Sequence, residues 1–242
     1  MPPNTTVGLT SVIVPVLGEA ASIGSVVENV RRAAGKRPVE IIVSDGDPSG
    51  STLAALDDPE VAGVLAPKGR GAQMNAGARA ASGDVLLFLH ADTRLPDDAI
   101  GIARRALAEH DAGSFSVRYD TESIWVRFLG MVSNMRARLE RVAYGDQTHF
   151  FRRDVFERLG GYPEIPIMED VEMYLRLREE GCRVTFLTNK VWTSARRYET
   201  EGRFFRPFRN VVLRIRHRLG ASPEDLVRAY RPQNELDGPE AR

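Results

Sequence analysis

The tetrapeptide His90-Ala91-Asp92-Thr93 follows the apolar run Val85–Leu89 and precedes Pro96 and two acids, Asp97 and Asp98. Such a run reads as a buried strand. In an open α/β sheet, an Asp at the strand's exit lies in the crevice where ligands bind. A lone carboxylate there suits a hard divalent ion that keeps several waters and is completed by substrate phosphates. The competing reading is that Asp92 or Thr93 caps a helix starting after Pro96. A second acidic pair, Glu169 and Asp170, stands at the start of a helix over Asp170–Glu180, pointing out of the packed body. A carboxylate so placed can act as general base toward a substrate hydroxyl. The helix dipole lowers its pKa and a neighbouring carboxylate raises it. A plain N-cap role for Asp170 is the alternative.

Three further segments carry chemistry. In Pro67–Asp84, Lys68 and Arg70 precede a helix, and Gly69 and Gly71 let backbone come close to a ligand. Helix N-terminal amides beside an Arg make a natural diphosphate site; a solvated basic loop is the alternative. The turn Ser44-Asp45-Gly46-Asp47 ends a strand, where Asp45 can hold ribose hydroxyls or a base imide, or simply form an Asx-turn. The loop Pro15–Ala20 also follows a strand, and its Glu19 can accept from a sugar hydroxyl or only complement a helix dipole.

The elements that must position these residues alternate in the first half. Strands are expected at Ser11–Val16, Glu40–Val43, Gly63–Ala66 and Val85–Leu89, with helices at Ala20–Ala34, Gly71–Ala81 and Asp97–His110. That alternation implies parallel βαβ units and a doubly wound sheet. Small residues Ala72, Ala76, Gly77 and Ala80 let the second helix pack close to the sheet. The second half is less regular: a helix over Ile124–Glu140, a strand over Thr148–Phe151, a loop at Gly160–Pro166, a helix closed by Gly181, and short strands at Val184–Leu187 and Val191–Ser194. We divide the chain into a main domain, 1–202, and a basic helical C-terminal extension with a polar tail, 203–242.

The 242 residues carry no net formal charge, which offers no field for a polyanion and argues against nucleic acid. Cys182 is the single cysteine, so no internal disulfide forms, and a reducing, cytoplasmic compartment fits. The N-terminal residues do not read as a signal peptide, and no apolar run approaches the ~20 residues of a membrane span. Between Arg203 and Arg218 there are six arginines and no acid, interleaved with Phe204, Phe205 and Phe208. Residues 203–219 either pack on the domain with their arginines solvated, or lie on the inner face of an anionic membrane and meet a lipid-linked acceptor.

The ordered motifs PVLGEA, VSDGDPSGST, GRGAQMNAG, LLFLHADT and F-R-R-D…GGYP…MED resemble family 2 glycosyltransferases of the GT-A fold, from roughly Ser11 to Tyr198. They look closest to a bacterial subgroup with GRGxQMN, HADT, PxMED and SxRR motifs. The resemblance implies a Rossmann-like, mostly parallel sheet flanked by helices. It implies inverting transfer of a sugar from a nucleoside diphosphate donor, with Mn²⁺ or Mg²⁺ as cofactor. Pro15, Glu19, Asp45 and Arg70 match nucleotide-binding positions, Asp92 the metal-binding Asp, and Asp170 the general base. Glu169, Arg196 and Arg197 match the acceptor side. His90 stands where the family's motif has an Asp; it can face the nucleoside, or add a nitrogen ligand that favours Mn²⁺. Two rivals are a nucleotidyltransferase making a nucleotide-sugar, which lacks the glycine-rich loop it needs after the first strand, and a catalytically silent nucleotide-sugar-binding module.

Overall fold

Alternation of apolar side chains along each strand builds a core on both faces of one sheet. The computed structural model describes residues 8–195, 212–216, 219–222 and 225–226. The first half runs β1 (Thr10–Val16), α1 (Ile23–Ala34), β2 (Val39–Asp45), α2 (Ser51–Ala54), β3 (Val61–Leu65), α3 (Arg70–Ala80) and β4 (Val85–Phe88). After β5 (Thr93–Arg94) and α4 (Ala99–Leu107) come β6 (Ala112–Asp120), α5 (Ile124–Glu140) and a short 3-10 turn (Gly145–Gln147). The described helices and strands of the main domain end with β7 (His149–Arg152), α6 (Arg153–Arg158), α7 (Glu169–Glu179) and β8 (Val184–Ser194).

The strands form a single mixed sheet in the order β3-β2-β1-β4-β7-β6-β8-β5. The chain winds outward from β1 through β2 to β3, then returns with β4 to the other side of β1. All three of these pairings are parallel. The order reverses between β1 and β4, which makes their carboxyl ends the ligand crevice. The parallel expectation therefore holds for the first half. The second half joins antiparallel through β7, with Phe88 opposite His149.

Val12, Val14 and Val16 of β1 face α1 and α4, where Val26, Val27, Val30, Ile100 and Ala103 complete one core. Ile13 points the other way, into a second core with Met74, Phe88, Phe151, Phe156, Tyr162 and Tyr174. The two-residue period of a strand assigns these faces. Gly77 is fixed by the second core: a Cβ there would collide with Ile13 Cγ2, so α3 lies close to the sheet at this position; Ala72 and Ala76 are buried with it, whereas Ala80, expected on the same side, is exposed.

Several boundaries differ from the sequence reading. β2 runs past Val43 to include Asp45, because its ladder with β1 continues to Val16↔Asp45. Val184–Leu187 and Val191–Ser194 are parts of one strand, since β6 pairs along both stretches with an irregularity between Ser114 and Ser116. β6 itself, AGSFSVRYD, lacks an apolar run; tertiary pairing with β7 and β8 makes it a strand. Within 203–242, residues 212–216 are helical, and Leu213 and Leu226 are buried in the same core as Met173 and Tyr174.

Candidate active site

The crevice residues arrive from four distant segments. Asp92 leaves β4 two residues after His90, and both are half-buried. Asp92 caps no helix: the cap of α4 is Asp98, which itself makes no side-chain capping bond. Its main chain is instead pinned by Ser194 N–H donating to its carbonyl at 3.0 Å, and its Oδ1 accepts from Thr93 Oγ1 at 3.3 Å. Thr93 in turn is hydrogen-bonded to Thr193 across β5 and β8. The Asp92 carboxylate is thus held in the turn between β4 and β5 rather than consumed by a helix end.

Asp170 is not an N-cap either. The cap position belongs to Met168, in the left-handed region at φ 70°, and Glu169 and Asp170 fill the first turn of α7. The expectation that these acids point out of the packed body is overturned, for they are 3% and 7% exposed. Asp170 Oδ2 accepts from Gly145 N–H at 2.8 Å and Oδ1 from Val171 N–H at 2.7 Å. Gly145 also carries the link to His90: a Cβ on it would lie 2.5 Å from His90 Cε1 and 3.7 Å from Asp170 Oδ2. The imidazole and the Asp170 carboxylate therefore flank one peptide unit.

Arg70, at the start of α3, reaches the same place from the other side. Its guanidinium pairs with Glu169 Oε1 at 3.3 Å. Burial pushes the Glu169 carboxyl up to about 7; Arg70 opposes this and the neighbouring Asp170 charge adds to it. Gly71 allows the approach, since a Cβ there would stand 2.5 Å from the Pro163 carbonyl oxygen.

Glu19 follows β1 and Asp45 ends β2, at the carboxyl ends of two neighbouring parallel strands. Pro15 sits in β1 opposite Ser44. Glu19 is half-buried, with Oε2 accepting from Ser22 Oγ at 2.7 Å. Asp45 is fully buried, and its two oxygens accept from Asp47 N–H at 2.9 Å and Thr52 N–H at 3.0 Å. That is the Asx-turn geometry, extended to fix the start of α2. A cavity of about 430 Å³ opens beside Asp92, but against Asn29 and Arg32 of α1 and Trp192 of β8; Glu19, Asp45 and Arg70 do not line it. Arg196, Arg197 and most of 203–219 lie outside the described residues.

Some site residues were not singled out from sequence. Asp146 follows Gly145; its Oδ2 accepts from Tyr119 Oη at 2.8 Å, and its buried Oδ1 has no hydrogen-bond partner among the described residues. Burial pushes this carboxyl up, against the Tyr119 hydrogen bond, and the charges of Asp170 and Asp92 add to the rise. Gln73 ties the ends of β1 and β2 by donating to the Val16 and Ser44 carbonyls, at 2.5 and 3.2 Å. Asn75 clamps the Gly160–Pro166 loop through both the N–H and the carbonyl of Tyr162. The available signal was a buried amide pair on an Ala-rich helix, and the polar triplet Gly145-Asp146-Gln147 beside an apolar strand.

Beneath the site His149 is buried, with Nε2 donating to the Tyr144 carbonyl and Nδ1 accepting from Tyr162 Oη, both at 2.9 Å. Burial lowers its pKa to about 4, so the ring is neutral. Among the described residues no three His, Cys, Asp or Glu side chains form a metal-binding group. No described helix is long and apolar enough to cross a membrane.

Comparison with known proteins fits this architecture. The family model described as glycosyl transferase family 2 matches residues 11–161, and the chain belongs to that family. A curated relative, the undecaprenyl-phosphate 4-deoxy-4-formamido-L-arabinose transferase of Aeromonas hydrophila, is 30% identical over 135 residues. The match covers 51% of this chain and 41% of the relative, so the chain spans under half of that protein's length. Among solved structures, a mannosyltransferase from Pyrobaculum calidifontis in complex with GDP-Man and Mn²⁺ superposes with a TM-score of 0.62 at 22% identity, over 76% of this chain and 56% of that one. S. aureus TarS 1–349 in complex with UDP-GlcNAc gives 0.58 at 18% identity, over 76% and 58%. These superpositions establish a GT-A glycosyltransferase fold.

Proposed function

We propose that this protein is an inverting, metal-dependent transferase that moves a sugar from a nucleoside diphosphate donor to an acceptor hydroxyl or phosphate carried on a lipid. One observation carries the reading. Arg70, Glu169–Asp170, Gly145 and His90, from segments far apart in sequence, form one unbroken chain of contacts at the switch point of the sheet. The donor complexes of the structural neighbours and the lipid phosphate in the curated relative's name support the substrate classes.

In this reading Arg70 binds the donor diphosphate, next to the amides that open α3, which lack intrahelical partners. Glu19 and Asp45 serve the nucleoside end, Asp45 by shaping the loop it hydrogen-bonds. His90 packs between the donor and Gly145. The Gly145 amide holds Asp170 so that one carboxylate oxygen faces the acceptor. An acceptor hydroxyl gives its proton to Asp170 as its oxygen bonds to the anomeric carbon. The bond from that carbon to the diphosphate breaks, its electron pair leaves with the diphosphate, and the configuration inverts. An acceptor already ionised at phosphate needs Asp170 only for orientation. Asp92 fits a divalent ion, Mn²⁺ or Mg²⁺: one half-buried carboxylate just past a strand exit suits an ion completed by water and phosphate. Bound there, the ion would neutralise charge growing on the leaving diphosphate.

Incubation with a panel of nucleotide sugars, Mn²⁺ or Mg²⁺ and polyprenyl phosphate tests the reading. Release of nucleoside diphosphate by the wild type and its loss in Asp92→Asn support it. Pyrophosphate as product, or binding of every donor without turnover on any acceptor, overturns it.

A further inference from the structure

Helix α5 is apolar on two opposite sides. At about 100° per residue, Val126, Gly130, Asn134 and Ala137 share the side buried against β6. Asn134 locks that side by bonding both the N–H and the carbonyl of Val117, each at 2.8 Å. The other side carries Ile124, Phe128, Met131, Val132, Met135 and Leu139 within an arc of about 100°. These six are from 36% exposed at Val132 to 82% at Ile124. Trp125 stacks on Phe128 at the edge of the stripe, with ring centroids 5.7 Å apart. A stripe of large apolar side chains standing in water is costly, and its size marks an interaction surface.

Charge identifies the occupant. Arg127 and Arg141 are exposed beside the stripe and at its end, Arg138 turns its guanidinium back to Ser116 Oγ and the Leu187 carbonyl, and Glu140, the sole acid from 124 to 141, is paired with Arg136 and Arg214. Of residues 203–218, the described stretch 212–216 reaches only the end of α5, where Arg214 pairs with Glu140 at 3.7 Å and Leu213 is buried in the core with Met173 and Tyr174. An anionic lipid surface takes both features at once, with the apolar side chains among the acyl chains and arginines on the headgroups. We propose that α5 is a membrane-docking helix that lies in the plane of an anionic leaflet.

The location gives the contact a purpose within the functional reading above, on which only this purpose rests. Five residues after α5 ends at Glu140, Gly145 donates to Asp170. Arg136 of α5 stacks on Tyr144, 4.0 Å from the ring centroid, and joins the two. A leaflet beneath α5 would present a lipid-borne acceptor on the side of the proposed base.

The test is co-sedimentation of the full chain with vesicles of equal parts phosphatidylglycerol and phosphatidylcholine, without donor or acceptor, so that its outcome is independent of turnover. The wild type binds these vesicles, does not bind phosphatidylcholine alone, and is released as salt rises. Met131→Glu with Met135→Glu weakens binding by at least about tenfold, since each buried methionine contributes more than that factor. Both positions are exposed, so thermal stability stays at the wild-type value. In a Trp192→Phe background, Trp125 emission shifts to the blue on vesicle addition. Absence of wild-type binding, equal binding by the double variant, or a dimer in sedimentation velocity that the double variant dissociates would each overturn the proposal.

Discussion

Replacing Gly145 by alanine probes the junction on which the proposed chemistry turns. Backbone strain is not at issue, because Gly145 is not among the residues with positive φ. The perturbation is the methyl group alone, 2.5 Å from His90 Cε1 and 2.7 Å from Nε2. Carbon atoms rest at about 3.5 Å or more, so roughly 1 Å must be found. Either the imidazole swings away, or the 145 peptide retreats and stretches its 2.8 Å bond to Asp170. Overpacking of this kind costs about 1–3 kcal/mol, and a hydrogen bond to a charged group is worth about 1.5–3 kcal/mol. A misplacement near 1 Å at a reacting group lowers turnover by about 10²-fold. Gly145→Ala should therefore release nucleoside diphosphate roughly ten- to a hundredfold more slowly, and should unfold earlier in urea. Adding His90→Ala removes the obstacle, so the double variant should recover stability, with a coupling of about 0.5–3 kcal/mol in a double-mutant cycle. Wild-type turnover and stability in Gly145→Ala, or additive effects in the cycle, would refute the packing of His90 and Asp170 around this peptide.

Other consequences follow from single groups. Asp170→Asn should keep donor affinity, read by thermal shift, and lose about 10²–10⁴-fold in transfer to a hydroxyl acceptor. His149 is neutral when folded, with a pKa lowered to about 4 from 6.5. Its contribution is complete above pH 6.5 and is lost as pH falls, because the unfolded chain takes up the proton first; the loss reaches about 3 kcal/mol by pH 4. Urea titrations of wild type and His149→Gln across that window should differ by this amount; Glu169, whose raised pKa gives a slope of opposite sign in both proteins, drops out of the difference. Asn75→Ala leaves the buried N–H and carbonyl of Tyr162 without partners and should cost about 2–4 kcal/mol, measured by equilibrium unfolding.

The first half of the fold was legible because each expected strand from Ser11 to Leu89 is an apolar run and α1 keeps a 3.6-residue period; α3 was legible only from its Ala-rich composition, and the four-residue α2 carries no such signal. Asp92 stood out as a candidate for the same reason: an acid shortly after such a run has few structural roles. Adjacent sequence offered one, helix capping, and only the tertiary structure shows that the cap falls at Asp98 instead. The burial of Glu169 and Asp170 was not legible, because it is created by loop 145–147 and by Arg70, 99 positions from Glu169. β6 was missed because its glycine and serines pack only once β7 and β8 lie beside them. The second apolar side of α5 was present in the residues, but a mixed helix does not announce which side the sheet will cover.

The most direct measurement is a crystal structure with a nucleoside diphosphate and Mn²⁺, using the manganese anomalous signal. The account predicts a peak bound to the Asp92 carboxylate and to the diphosphate, with Arg70 on the phosphates and the nucleoside toward Glu19 and Asp45. A nucleotide seated instead in the cavity against α1 and Trp192, or a diphosphate with no manganese at Asp92, would contradict it.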